Sequence, residues 1–214
     1  MSLETRDQAE KTLFATFLTR DGKFLNVSYA GGDIDSYNDR FESFQKTHEV
    51  YDSVEFLYLE TDTINALPNN IKKFKKLTKL EVSGSRFWDL KMKQVPSTVK
   101  ELILVEQTNL SPKCIKGAIG LINLERLELD LSPFKLRLCS CCNYDDDDDD
   151  DIDSNLVIPC LPNLKVLQFE SGDYCEALNP HWKDYIMNHN LFRDIKSKIQ
   201  KIDHVEGVKL VIEL

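Results

Sequence analysis

The chain has 214 residues, of which 42% are hydrophobic and 29% are charged, and its formal net charge is −9. This length suits one domain, and this composition predicts a soluble globular protein rather than a disordered one. No apolar run approaches the roughly 18 residues that a membrane span needs, and the negative charge disfavours binding to a nucleic-acid backbone, which requires clustered Lys and Arg.

The first residues bear on targeting and on how the fold begins. Residues 1–14 are mixed in charge and lack the basic start and apolar core of a secretory signal, so we expect an intracellular protein, cytoplasmic or nuclear and not secreted. In such a reducing compartment the six cysteines are expected as free thiols. The pairs Leu13–Phe17 and Phe14–Leu18 lie at helical spacing, and we interpret residues 3–18 as part of an N-terminal cap that covers the open end of the core.

A strand and a helix are predicted next. Residues 24–29 alternate apolar and polar side chains, as a half-buried strand does, with Leu25 and Val27 on one face. A Gly-Gly pair then turns the chain, and residues 36–46, which carry Phe41 and Phe44, predict a short helix. We interpret this unit as an irregular first copy of the repeat that follows.

The stretch from Val54 to Leu90 contains two copies of one apolar pattern. An L-x-x-L-x-L block, typical of a short strand, is followed by a looser segment of the form L-P-x-x-I-x-x-F. The pattern restarts at Leu77, 23 residues after Val54. A fixed period of this size is typical of repeat architectures.

These residues resemble a leucine-rich repeat of the 23-residue type L-x-x-L-x-L-x-x-N-x-L-x-x-L-P-x-x-I-x-x-L. Its apolar and proline positions are occupied by Leu57, Leu59, Ile64, Leu67, Pro68, Ile71 and Phe74. The resemblance implies an α/β fold, a leucine-rich repeat solenoid: a short curved horseshoe with parallel strands on its concave face and helices or turns on its convex face. The family's ladder asparagine is absent, and its positions hold Asp62, Ser85, Gln107, Ser132 and Gly172, which predicts a less regular curve.

Further copies of the pattern begin at Val99, Leu124 and Leu164, so the offsets between the five starts are 23, 22, 25 and 40 residues. An insertion therefore interrupts the period before the fifth copy. Residues 182–202 predict helical convex or capping structure, and residues 205–210 fit the strand pattern once more, which gives roughly seven stacked strands.

We therefore predict a single domain, residues 1–214, with four parts. They are the N-terminal cap and irregular first repeat at 1–50, the regular repeats at 54–134, an acidic Cys/Asp-rich loop insertion at 135–160, and the last repeats with a C-terminal cap at 161–214.

A candidate partner surface follows from the strand pattern, because alternation places every second side chain on the concave face. These outward residues are Phe56, Tyr58, Glu60, Lys79, Glu81, Glu101, Ile103, Val105, Arg126, Glu128, Asp130, Val166, Gln168 and Glu170. Apolar and aromatic side chains on a rigid sheet serve as binding anchors, and acidic neighbours favour a basic partner. The alternative is that these are ordinary solvated strand residues, or that cap helices cover Phe56 and Tyr58.

The insertion contains a run of aspartates. The run is Asp145, Asp146, Asp147, Asp148, Asp149, Asp150 and Asp151. Like charges repel one another and do not pack, so we expect a disordered loop. One interpretation is a flexible lure for a basic protein tail. That pairing of repeats with an acidic stretch is similar to the acidic leucine-rich nuclear phosphoproteins, whose stretch is a C-terminal tail. The other interpretation is a tolerated low-complexity expansion.

Neither a metal site nor a catalytic site is predicted. Cys139, Cys141 and Cys142 form a C-x-C-C cluster, which together with Cys160 does not give the two C-x-x-C pairs typical of structural zinc. The aspartate run lacks the glycine and bidentate acid of an EF-hand loop. The four histidines follow no metalloprotease or triad motif, and the sequence contains neither a phosphate loop nor a nucleophile elbow. We expect no cofactor and no enzymatic activity.

Three functions remain open. The first is a scaffold that binds a partner protein, with a basic or mixed basic and apolar surface, on the concave sheet. The resemblance implies this role, because proteins with similar repeats commonly act as scaffolds or adaptors, some of them for small GTPases and phosphatases. The second is an acidic chaperone or charge mimic that captures basic proteins through the aspartate run, and the third is a structural subunit of a larger assembly. Charge capture should vanish near about 0.5 M salt, where screening lengths shrink to a few Å, whereas an apolar interface should persist.

Overall fold

A computed structural model gives the architecture. It describes residues 13–30, 34–48, 50–61, 67–84, 92–105, 117–130, 157–170, 187–188, 190–205 and 209–214. In chain order the elements are β1 (Leu13–Leu18), β2 (Phe24–Ala30), α1 (Ile34–His48), β3 (Phe56–Thr61), β4 (Lys79–Ser83), β5 (Glu101–Val105), β6 (Arg126–Asp130), β7 (Val166–Glu170), β8 (Lys201–Val205) and β9 (Lys209–Glu213). Short 3-10 turns lie between several strands, for example Ile71–Lys73 and Ala118–Gly120.

The strands form one open, mostly parallel nine-stranded sheet in the order β1-β2-β3-β4-β5-β6-β7-β9-β8. From β2 to β7 each strand runs parallel to its neighbour, and these strands follow the chain order. The two ends differ from this centre, because β1 pairs antiparallel with β2, and the β8–β9 hairpin pairs antiparallel with β7. The α/β class predicted from the sequence is therefore confirmed, with α1 as the one described helix longer than a few residues.

Buried apolar residues form two continuous rows across one face of the sheet. Since side chains alternate along a strand, residues in register on neighbouring strands share a face. The first row is Leu25, Leu57, Leu80, Leu102, Leu127, Leu167 and Ile212, and the second is Val27, Leu59, Val82, Leu104, Leu129, Phe169 and Leu210. All of these residues are buried. The L-x-x-L-x-L blocks thus place their apolar residues on one face, and this inner face carries the core.

Helix α1 and the connecting turns cover the inner face. Tyr37 and Phe41 lie one helical turn apart on α1 and are buried, and the Tyr37 ring lies 5.0 Å from the ring of Tyr29 in β2. From the connection between β3 and β4, Ile71 and Phe74 are buried in the same core. Because the turns bring their own apolar side chains, each connection closes part of the core beside the strand that follows it.

A repeated backbone contact marks the start of each parallel strand. The carbonyl of Glu55 accepts the N–H groups of Thr78 and Lys79, at 2.8 and 3.0 Å. The carbonyls of Lys23, Thr78, Lys100 and Glu125 accept two successive N–H groups in the same way, at distances of 2.7 to 3.1 Å. One backbone geometry therefore recurs at five successive strand starts.

The two ends of the sheet correct the sequence-based expectations. Leu13–Leu18, whose apolar pairs fit helical spacing, form strand β1 instead, with Phe14 and Leu18 packed against the core. Residues 205–210 are not one strand, because Val205 ends β8 and Lys209 begins β9. Within residues 182–202, Met187 and Asn188 are helical and 3-10 turns occupy Asn190–Phe192 and Lys196–Lys198, whereas Lys201 and Ile202 begin β8, so the predicted helical or capping structure is found only in short segments. The expected stack of parallel strands is thus closed at both ends by antiparallel pairs.

Two further expectations lie partly or wholly beyond the described part of the chain. The ladder positions Asp62, Ser85, Gln107, Ser132 and Gly172 lie outside the described residues, as does the first part of the predicted cap, residues 3–12. Within the described residues, no helix is long and apolar enough to cross a membrane.

Candidate functional site

The face of the sheet opposite the core, here called the outer face, brings the predicted partner residues together in rows. Strand register defines the members of each row. The first row is Phe24, Phe56, Lys79, Glu101, Arg126 and Val166, the second is Asn26, Tyr58, Glu81, Ile103, Glu128 and Gln168, and the third includes Ser28, Glu60, Ser83 and Val105, with Asp130 beside Glu170. The side chains of Asp130 and Glu170 are outside what the structure describes. The remaining residues of the predicted surface share this face, as the alternation predicts.

Aromatic side chains gather at the β1 end of the outer face. The Phe24 ring lies 4.7 Å from the Phe56 ring and 6.3 Å from the ring of Phe17, which is 59% exposed. The Lys79 ammonium lies 4.2 Å from the centre of the Phe56 ring, within cation–π range. Phe56 is therefore half-buried by neighbours on its own face. The sequence interpretation missed Phe17 and Phe24, although the alternation of residues 24–29 that placed Leu25 inward also places Phe24 outward.

The centre of the outer face holds an open depression of about 320 Å³. Its lining is Lys79, Glu81, Glu101, Ile103, Val105, Arg126 and Glu128. The half-buried Val105 supplies the apolar surface, and Lys79 and Arg126 supply positive charge beside three carboxylates. The surface of the depression is therefore mostly polar and charged, with little apolar area.

Glu128 differs from the exposed acid that the sequence suggests. It is 3% exposed and lies between Ile103 and Gln168, which are 8% and 4% exposed. Arg126 contacts the Glu128 carboxylate at 3.4 Å and donates a hydrogen bond to the Gln168 side chain. Because a buried carboxylate is costly without a charged or hydrogen-bonding partner, we assign Glu128 a role in holding the face together. The expectation that Ile103, Glu128 and Gln168 form exposed contact surface is therefore wrong.

Two other carboxylates of the face are available to a partner. Glu60 and Glu101 are exposed, and neither forms an ion pair within the described residues. Glu81 is half-buried, and its carboxylate lies 3.8 Å from the Lys79 ammonium. The acidic character of the accessible face thus rests on Glu60 and Glu101, with Glu81 partly neutralised.

A second set of charges, here called the charge ladder, runs along the strand starts and was not predicted. It consists of Lys23, Glu55, Lys100, Glu125 and Lys165. The Lys23–Glu55 contact is 2.9 Å, and Glu125 lies 3.3 Å from Lys100 and 2.6 Å from Lys165. Hydrogen bonds from Lys165 and then Lys100 hold the pKa of the Glu125 carboxyl below its usual range, and the bond to Glu55 raises the pKa of Lys23. All five positions directly precede a strand, which is the sequence signal for them.

The remaining predicted features fall elsewhere. The aspartate run 145–151 and the thiols Cys139, Cys141 and Cys142 lie outside the described residues, and Cys160 is an exposed free thiol. Within the described ranges, no group of three or more His, Cys, Asp or Glu side chains is placed to hold a metal ion.

Comparison of the chain with known protein families, with curated proteins and with solved structures finds no match.

Proposed function

We propose that the chain is a leucine-rich repeat protein whose outer face is the concave surface of a short solenoid and binds a partner protein. Recurrence in the fold supports the repeat interpretation. The leucine rows and the doubly accepting carbonyls of Glu55, Thr78, Lys100 and Glu125 recur at the offsets of the sequence pattern. Rigid sheets of this kind present binding side chains in fixed positions.

One observation carries the binding proposal: the outer face combines accessible carboxylates with apolar and aromatic surface on a rigid sheet. Glu60 follows the half-buried Tyr58 on the outer face of β3, and Glu101 lines the central depression together with the half-buried Val105. A partner with Lys or Arg side chains would pair with these carboxylates, and apolar groups of the same partner would cover the apolar and aromatic surface between them. Accessible charges steer the encounter, and the apolar contacts hold the complex.

A pair of double variants tests this proposal. The first is Glu60→Lys with Glu101→Lys, which reverses the accessible charge of the outer face at two exposed positions. The matched control is Asp35→Lys with Asp39→Lys, which makes the same change in net charge on α1, on the other side of the core. Affinity capture from lysate, read by mass spectrometry, should return one partner with wild type and with the control, and lose it with the outer-face variant.

Deletion of residues 145–151 separates this function from the acidic-lure alternative. A concave-face partner should bind the deletion variant as well as wild type and should persist at about 0.5 M salt, where charges are screened within a few Å. Binding that disappears with the deletion, or with salt alone, would contradict the outer-face proposal and favour charge capture. Equal loss in the α1 control would show that net charge, rather than this surface, decides.

A further inference from the structure

The first strand of the sheet leaves an uncharged edge. Strand β1, with the sequence LFATFL, is the first strand in the sheet order and pairs with β2 alone among the described strands. It contains neither a charged residue nor a proline, and its Phe17 side chain is 59% exposed. Native sheets usually protect such an edge with charges, prolines or bulges, because its unpaired backbone groups attract another strand.

The opposite edge shows that protection. Strand β8, with the sequence KIDHV, is the last strand in the sheet order, and its Lys201 and Asp203 side chains form an ion pair. Charged side chains at an edge disfavour strand addition. One edge strand of the sheet is thus uncharged and the other is charged, and this charge controls whether another strand can add to the edge.

The hydrogen-bond register shows which backbone groups of β1 face outward. Thr19 donates its N–H to the carbonyl of Phe24 at 3.0 Å, and hydrogen-bonded pairs then recur at every second residue of an antiparallel ladder. The bonded pairs within β1–β2 are therefore Phe17 with Asn26, Ala15 with Ser28 and Leu13 with Ala30. Consequently the N–H and C=O groups of Phe14, Thr16 and Leu18 point away from β2.

We infer that this edge is a docking site for a second copy of the chain, whose own β1 pairs with it in antiparallel orientation. A two-fold axis through Thr16 uses all the outward backbone groups, because Thr16 then faces its equivalent and Phe14 faces Leu18 of the second copy. Because β1 contains no charged residue, no like charges face each other across the two paired strands. Isologous pairing of this kind closes at the dimer, because both β1 edges are used.

Side-chain size supports this register. On the outer face it opposes each exposed Phe17 ring to Ala15, a small and exposed residue, of the second copy. On the inner face it sets Phe14 against Leu18, and both already pack against the core. Large-against-small and apolar cross-strand pairs fill space without clashes, and a Thr–Thr pair is itself favourable. The second copy would therefore extend both faces of the sheet.

The size of the contact sets its strength. A stable protein interface buries about 1,200–2,000 Å² in total, and one six-residue strand pair falls below that range. The dimer is accordingly reversible and depends on protein concentration. This inference does not depend on the partner proposed for the outer face.

Sedimentation velocity on the full chain, over a dilution series, tests the inference with three variants. Thr16→Pro removes an outward N–H and no β1–β2 bond, since proline is tolerated where its nitrogen faces away from the neighbouring strand. Thr16→Val keeps that N–H and the branched shape, and is the matched control. Ala15→Glu leaves every backbone bond in place and puts a charge against the opposing Phe17, so it decides the matter if the proline variant fails to fold.

Wild type and Thr16→Val should pass from monomer to dimer as concentration rises. Thr16→Pro and Ala15→Glu should raise the dimer dissociation constant by at least about tenfold, because two symmetric backbone bonds or the packing around Phe17 are lost. A wild type that remains monomeric at every concentration overturns the inference. Dimerisation of Ala15→Glu or of folded Thr16→Pro with the wild-type dissociation constant also overturns it. Assembly of wild type into species larger than a dimer has the same consequence.

Discussion

Gly84 follows β4 with a φ angle of +137°, a conformation that side-chain-bearing residues rarely adopt. A Cβ atom built at this position would lie 1.6 Å from the carbonyl oxygen of Thr61, at the end of the neighbouring strand. The two strands can therefore approach here only because residue 84 has no side chain. Glycine at this point is a packing requirement as well as a conformational one.

We expect Gly84→Ala to lower the free energy of unfolding by at least about 2 kcal/mol, because strain and overlap act together. Urea unfolding, followed by circular dichroism, measures this loss. Gly120→Ala is the control, since nothing lies within 4 Å of a Cβ built there, and it should stay within about 0.5 kcal/mol of wild type. Equal stability of the two variants would show that the contact with Thr61 does not limit the fold.

The sequence predicts on which face of a strand a side chain lies, but its exposure depends on side chains from neighbouring strands. The alternation predicts that Glu128 points to the outer face, and it does. Its burial depends on Ile103 and Gln168 beside it and on Arg126, which come from three strands. A pattern read along one strand gives direction but not exposure, which is why the accessible acids prove to be Glu60 and Glu101.

Two asparagine side chains form hydrogen bonds between successive connections of the sheet. Asn123 donates a side-chain hydrogen bond to the carbonyl of Ser97 at 2.8 Å, and Asn163 donates one to the carbonyl of Ile122 at 2.7 Å. Asn123 lies between β5 and β6 and reaches the connection between β4 and β5, and Asn163 lies between β6 and β7 and reaches the connection between β5 and β6. In the sequence these asparagines stand in the tetrads LINL and LPNL, which do not include the positions of the family's ladder asparagine.

We expect Asn123→Ala and Asn163→Ala each to lower the free energy of unfolding by about 0.5–1.5 kcal/mol, the usual net value of one such bond. We expect the double variant to depart from the sum, because Asn163 bonds the carbonyl of Ile122, the residue next to Asn123, and neighbouring sites couple. Thermal unfolding measures these changes, with Gln200→Ala at an exposed position as the control. Changes no larger than that of the control would mean that water replaces both bonds without loss.

The elements that sequence reasoning found and missed differ in a physical way. Strands β3 to β7 were predictable because each repeats the same apolar spacing against the same kind of neighbour. Strand β1 was not predicted because Leu13–Phe17 and Phe14–Leu18 fit helical spacing, whereas the contacts that favour a strand come from β2. The β8–β9 hairpin was not predicted for a similar reason, since the strand that it pairs with is β7, which is distant in the sequence.

Across the whole molecule, one core runs from β2 to β9. The same buried cluster contains Leu25 near one end of the sheet and Ile212 near the other. Each strand pairs only with its neighbours, yet no gap divides the cluster along the described strands. Damage at the centre should therefore affect both ends.

Leu102 tests this expectation, because it is fully buried in β5, the middle strand of the nine. We expect Leu102→Ala to lower the free energy of unfolding by about 2–5 kcal/mol, through lost burial and the cavity it leaves. Hydrogen exchange should show this loss equally at the slowest-exchanging amides of β2 and of β9, since a small domain unfolds as a unit. Ile122→Ala, at a position that is 56% exposed, should leave both unchanged.

The contrary pattern would be faster exchange in β4, β5 and β6 with unchanged protection in β2 and β9. That pattern would mean that neighbouring repeats couple weakly and open separately, as long repeat arrays do. The antiparallel ends argue against it, because β1 and the β8–β9 hairpin each give the terminal parallel strand a second neighbour. Both ends then lose protection only when the continuous core between them is lost.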